Sequence, residues 1–259
     1  MATMASLLCT VAKRVLLPVC LAFVACGCGG GGNDETGVVA RASDATQLPS
    51  SSALVVPFKA SFRGKTYVEW EVAFWQWALS LPVNSTLRHP FSDCESRPIS
   101  SWQTGIVWFW TAPDSPSMTC DQQRTIIPAG TAIFLSLLGI EASSLEAPPF
   151  LAESATEQKQ IATSYGSKIS NVFCTIDDVK VQNIATYRTT TGQFTFLAPS
   201  PWAYGEKGGQ GTAVADGYFL LLKPLSPGAH KIHYGGVFHT PVGELPKDIT
   251  LLITVGANR

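Results

Sequence analysis

Apolar residues recur along this chain at more than one period, and each period predicts a different kind of element. An apolar run, Val15 to Ala25, is broken only by Pro18 and ends in small residues. As a helix it rises about 16 Å, roughly half of a bilayer's hydrocarbon core, so it is too short to span. From Gly27 to about Ser52 no apolar period exists, and such a segment cannot bury enough surface to offset its ordering entropy. Helical spacing then takes over. Trp70, Phe74, Trp77, Ala78 and Leu81 recur on one face, Thr66 and Glu69 match a capping box ahead of them, and Pro82 stops the run. Trp70, Phe74 and Trp77 are expected to dock this helix onto a sheet, while Trp75 on another face leaves open an aromatic platform for sugar or lipid.

Strand patterns fill most of the remainder. After a turn-rich stretch at 83–104 come GIVWFWTA (105–112), a short strand ending at Pro128-Ala129-Gly130, and a long buried run from Thr131 to Ile140. Residues 150–170 are polar and read as a surface helix. VFCTI and VKVQNI flank Asp177-Asp178, where a tight hairpin turn belongs, and TYRTTTGQFTFLAP follows. Residues 199–217 are the most glycine-rich stretch of the body and predict a mobile loop. The last strands alternate cleanly, His230, Ile232 and Tyr234 in one and Ile249, Leu251 and Ile253 in the other. Without βαβ alternation or a repeat, the expected class is mainly β (α+β), a β-sandwich of Ig-like or jelly-roll type with two inserted helices.

Charge turns the first apolar run into an export signal. Lys13 and Arg14 precede it and small residues close it, the layout of a secretory leader. Phe23-Val24-Ala25-Cys26 resembles a lipobox, with Cys26 the expected lipidated residue, Cys28 the fallback, and an ordinary signal peptide the alternative. The expected organisation is a signal peptide at 1–25, a flexible tether at 26–53 and one domain at 54–259, exported and either anchored in the inner or outer membrane through lipid or secreted or periplasmic. The formal net charge is −1 and only 14% of residues are charged, with no basic block, so nucleic acid is an unsuitable partner.

An oxidising compartment makes the body's cysteines meaningful. Cys94 and Cys120 flank the GIVWFWTA strand, and a bridge between them would close a loop of 26 residues, worth roughly 3.5 kcal/mol on the chain-entropy model. Cys174 would then be a small buried apolar residue; pairing of Cys174 with either of the others stays open. No CxxC or clustered Cys/His spacing suggests zinc.

The blocks KTYVEWEVAFWQWALSLP, GIVWFWTA, IPAGTAIFLSL, TIDDVKVQNIATYR and ADGYFLLLKPLSPGAHKIHYGG resemble a family of uncharacterised secreted bacterial proteins with a Trp-rich N-terminal helix, a PAG turn and a closing LxPGxHxIxxGG hairpin. The likeness spans about residues 63 to 236 and implies a single secreted domain. It assigns no activity, so it carries over no catalytic residue. The chain departs from the pattern at Asp178, where the turn usually has glycine, and at Thr131, where lysine commonly follows PAG.

Candidate chemistry is sparse. There is no G-x-S-x-G for a serine nucleophile. Of His89, His230, His233 and His239, positions 230 and 233 fall on opposite faces of a strand and should not converge on a metal. Calcium has two weak candidates, Asp177-Asp178 and the group Asp93, Glu95 and Asp121, the second assembled only by a Cys94–Cys120 bridge. Glu69, Glu71, Glu141, Asp177 and Asp216 could supply a glycosidase pair, but no spacing selects one. The expected function is an envelope binding or structural module without catalysis, taking a glycan or an envelope protein at the loops 83–104 and 199–217. Trp202 and Tyr204 are its exposed aromatic candidates, with His233 and His239 as further binding residues. The rival is an extracytoplasmic hydrolase using His233 or His239 with a nearby carboxylate.

Overall fold

The structure, a computed structural model, describes residues 51–240 and 243–257. The expected leader at 1–25, the lipidation candidates Cys26 and Cys28 and nearly all of the expected 26–53 tether lie outside the described residues. Among those residues the chain is mainly β, with ten strands in two sheets of five. The helices are α1 (Ser51–Leu54), α2 (Tyr67–Ser80) and α3 (Ala155–Gly166).

Sheet I has the order β1 (Val107–Trp110), β3 (Ala132–Ser143), β8 (Gly209–Leu222), with β6 (Arg188–Thr190) and β7 (Phe194–Ala198) both pairing along β8. Sheet II has the order β2 (Met118–Ile127), β10 (Gly243–Val255), β9 (Gly228–Thr240), β4 (Ile169–Ile176), β5 (Val179–Lys180). Most pairs are antiparallel, but β1 runs parallel to β3 and β2 parallel to β10, because the chain leaves sheet I after β1, builds β2 at the edge of sheet II and returns.

Two apolar layers hold this arrangement. Between the sheets, Trp108, Trp110, Leu135, Leu137, Leu220 and Leu222 of sheet I pack on Cys174, Ile176, Ile232, Tyr234, Leu251 and Ile253 of sheet II. The Trp110 indole N–H donates to the Tyr234 hydroxyl at 3.1 Å, so the largest polar handles in this layer satisfy each other. On the far face of sheet I, α2 lays Phe74, Trp77 and Ala78 on Phe109, Phe134 and Phe219. Sheet I is therefore covered on both sides, which is why β3 reads as a continuous apolar run. β9 and β10 alternate because sheet II turns one face to solvent.

Several expectations hold in detail. The Thr66/Glu69 capping box is present, with the Thr66 amide donating to Glu69 Oε2 at 2.7 Å, and those donors hold the Glu69 carboxyl below its ordinary range. Ser154 and Glu157 form a second box at the start of α3. Asp177 and Asp178 both have positive φ (48° and 65°) between the paired ends of β4 and β5, as a two-residue hairpin turn demands. Cys94 and Cys120 are bridged, and Cys174 is a buried free thiol in the inter-sheet layer.

Other expectations are overturned. Residues 209–217 are the first half of β8 rather than a loop. Their glycines serve close packing: a Cβ on Gly211 would lie 2.6 Å from the Phe196 ring, and one on Gly217 would lie 2.5 Å from the Leu138 carbonyl oxygen. The strand expected at VKVQNI is cut to Val179–Lys180 and followed by a 3-10 turn at Ile184–Tyr187, entered through Asn183 at φ 53°.

Candidate functional site

The described surface has an apolar groove of about 590 Å³ along one edge of α2, whose walls include Lys65, Trp70, Trp77, Trp102, Ile106 and Phe109. Helical period creates one wall. Trp70 and Trp77 lie seven residues apart, two turns along the same side of α2, and both contact Phe109 of β1. Trp70 is only half-buried; its indole N–H donates to the Phe62 carbonyl at 3.1 Å, and the Lys65 ammonium sits 4.8 Å from its ring centroid.

The turn before β1 also lines the groove. Trp102 stands 60% exposed there, with a backbone φ of 58°. A bulky L-residue in the left-handed region is uncommon and costs local strain. The turn is nevertheless firmly mounted. The Gln103 side-chain amide donates to the carbonyls of Ile99 and Phe109 and accepts from the Phe109 amide at 2.8 Å. Further back, the Arg97 guanidinium donates to the carbonyls of Arg88, Leu87 and Pro82, and Gln122 of β2 binds the carbonyls of Cys94 and Arg97. With the disulfide, these bonds turn the 83–104 segment into a rigid mount for an exposed tryptophan. Trp102 is thus a residue that the sequence reading missed inside a segment it had selected. Its signal was weak: one indole between Ser101 and Gln103, off any apolar period.

The named aromatic candidates divide. Trp202 is 3% exposed, because its ring packs on Phe196 and its backbone closes a bridge with Gly205. This corrects the expectation of an exposed indole. Tyr204 is 42% exposed and stacks on Phe91, at 5.9 Å between centroids and 16° between planes. The two segments selected as a working surface do meet, through this Phe91–Tyr204 contact. On α2, Phe74, Trp75 and Trp77 are buried, as docking requires, so the platform is not made by Trp75.

The histidines are all engaged. His89 is buried with Nε2 2.9 Å from the Ala78 carbonyl, and burial pushes it down to about 4. His230 is buried between Asp177 Oδ2 and the Ser226 carbonyl, both at 2.7 Å. His233 and His239 sit on the outward face of sheet II, six residues apart and therefore roughly 20 Å along the strand, so they form no joint site. His233 Nε2 is 2.8 Å from Asp248, whereas His239 lies between Ser170 and Glu244.

Among the acids, Asp177 is taken up by His230 and the Lys231 amide, and Asp178 pairs with the Lys231 ammonium. Asp93 caps the amides of Glu95 and Ser96. Among the described residues, no group of three or more His, Cys, Asp or Glu side chains is placed to hold a metal ion, calcium included. The other carboxyls are internal. Asp216 lies beneath α3, bound by Arg188 at 2.8 Å and by the Thr190 hydroxyl, where Gly166 leaves room for it. Glu71 is buried on the sheet I side of α2, beside Thr189 and Trp75, and desolvation pushes it up to about 8. Glu141 is buried beside Glu146; burial drives Glu141 well above the carboxylate range and Glu146 up to about 7. These acids are protonated or paired inside the body and do not face the groove.

No family model matches the chain, and no curated protein matches it. Among solved structures it is similar to "Solution Structure of Amebosin", at 12% identity, with 59% of this chain and 99% of that chain covered and a TM-score of 0.17. A likeness at that score carries no argument about fold or function.

Proposed function

We propose that this chain is an exported cell-envelope binding module whose groove beside α2 takes a glycan. The observation that carries the reading is Trp102, an exposed indole in a left-handed backbone conformation, next to the Gln103 bonds, in a groove it lines together with Trp70 and Trp77. Sugar rings present C–H faces that stack on aromatic planes, and the Lys65, Gln76, Ser80 and Thr104 side chains along the groove supply polar partners for hydroxyls. A glycan array followed by calorimetry on the strongest ligand tests this. Trp102→Ala should lose at least about tenfold in affinity, a cost of roughly 1.4 kcal/mol, with unchanged thermal stability. Equal binding by the variant, or binding to no glycan, would sink the reading.

Export rests on the leader and the Cys26 lipobox. The Cys94–Cys120 disulfide supports it, since such bonds persist in oxidising compartments. No helix among the described residues is long and apolar enough to cross a membrane; the anchor proposed is lipid on Cys26. Cys26→Ser should move the protein from the membrane to the soluble fraction, and radiolabelled palmitate should mark the parent chain alone. The sandwich type, Ig-like or jelly-roll, belongs to the same proposal. Two apposed five-stranded sheets support it, and the two parallel strand pairs are the feature it must accommodate.

A further inference from the structure

The outward face of sheet II carries two imidazole–carboxylate pairs on one strand, and they differ in one respect. His233 binds Asp248, and among the described residues no hydroxyl bonds its ring. His239 hydrogen-bonds a serine through one nitrogen and has a carboxylate within ion-pair distance of the other: Nε2 lies 2.7 Å from Ser170 Oγ, and Nδ1 lies 3.3 Å from Glu244 Oε1. The three residues come from β4, β9 and β10 and are half-buried to exposed, open to a reactant. Such a constellation is recognised by its geometry and roles, not by a sequence motif. We propose that Ser170, His239 and Glu244 form a hydrolytic triad that cleaves short-chain carboxylic esters.

The backbone around Ser170 fits that use. The register of β4 against β9 slips between Ser170 and Phe173, and Asn171, the next residue after the serine, has φ 54°. A bulge of this kind takes its extra residue out of the ladder and re-aims the neighbouring side chain. In hydrolases with a nucleophile on a strained turn, the amide of the following residue donates to the oxyanion; the Asn171 amide holds that place here. Lys168 accepts from the His239 amide at 3.2 Å through its carbonyl, fixing the histidine's strand against the start of β4. Phe173, and Val237 opposite Ser170 in register, are the apolar neighbours on this open face, so acetyl or another small acyl group is the class it suits.

In the first step, Ser170 Oγ adds to the ester carbonyl carbon while its proton passes to His239 Nε2. Collapse breaks the bond to the alkoxide, which leaves as the alcohol with that proton. Water then adds to the acyl-serine, giving a proton to His239; the acid departs and the proton returns to Ser170 Oγ. Ester and water become acid and alcohol, and Glu244 keeps the Nδ1 proton oriented throughout as a positioning residue.

The test uses the purified full chain with p-nitrophenyl acetate and a fluorophosphonate probe, followed by peptide mapping. The expected results are an adduct on Ser170, and turnover that falls more than about 100-fold in Ser170→Ala and His239→Asn. His233→Asn should keep the parent rate, which separates this site from the neighbouring pair. Glu244→Gln should lower kcat and displace the pH profile with little change in KM. Absence of an adduct on Ser170 in the parent protein overturns the proposal, as does parental turnover in Ser170→Ala.

Discussion

Sheet I is covered on both faces, by sheet II on one side and by α2 on the other, whereas sheet II turns one face to solvent. The consequence is visible residue by residue. β3 and β8 carry apolar or small residues on most positions, and Ser136, Glu141, Ser143 and Asp216 among their polar groups are buried. β9 and β10 instead alternate, and their outward positions hold His233, His239, Asp248 and Thr250. The covered sheet thus carries more of the packing energy and contributes to the groove through its edge strand β1; the half-open sheet displays ionisable chemistry on a rigid plane.

The largest expected break in this comparison comes from emptying the doubly covered layer. Phe134 is fully buried between Phe74 and Phe219, so Phe134→Ala should cost about 3–5 kcal/mol in denaturant unfolding, while Thr250→Ala on the open face of sheet II should cost less than about 0.5 kcal/mol. Comparable losses at the two positions would show that the layers are not built as described. Next in size, replacing Cys94 and Cys120 together by serine should cost about 2–4 kcal/mol, because the bridge closes a separation of 26 residues and ties the Trp102 mount to the edge of sheet II. Unchanged unfolding with unchanged glycan affinity would remove the disulfide from the account of the groove.

A smaller and more specific effect belongs to the buried carboxyl on the α2 side. Glu71 ionises near 4.5 in the unfolded chain and at about 8 when folded, so the folded state binds more protons between those values. Its contribution is fully present below pH 4.5 and is lost as pH rises towards 8. Glu146, raised to about 7, slopes the same way. His89, lowered to about 4, acts in the opposite sense between 4 and 6.5, so stability should decline most clearly from pH 6.5 to 8. Glu71→Gln should flatten that decline and stabilise the protein at pH 8, by on the order of a few kcal/mol at most. An unaltered pH slope in the variant would place the titrating group elsewhere.

Local chemistry was readable where a short stretch decides its own conformation. The capping box, the Asp177-Asp178 turn and the alternating last strands needed only their neighbours. The glycine-rich stretch misled because glycine has two uses, freedom in a loop and absence of a Cβ in a strand; Gly211 and Gly217 are explained only by Phe196 and Leu138 on neighbouring strands. Trp202 and Trp102 exchanged roles for a similar reason. Each is a tryptophan in a turn-rich segment, and exposure depends on whether an apolar partner such as Phe196 lies across the sheet.

By itself the sequence determined a mainly β body and the α2 helix with its aromatic face, offered the Cys94–Cys120 pairing, and set the expectation of a leader with a lipidation cysteine. Those follow from period, capping and length, which are properties of adjacent residues. Only the tertiary structure decided that β2 crosses to the other sheet, that Trp102 lines one groove with Trp70 and Trp77, and that Ser170 meets His239. Each of these joins residues distant along the chain, and a contact of that kind is set by how strands pair and layers close.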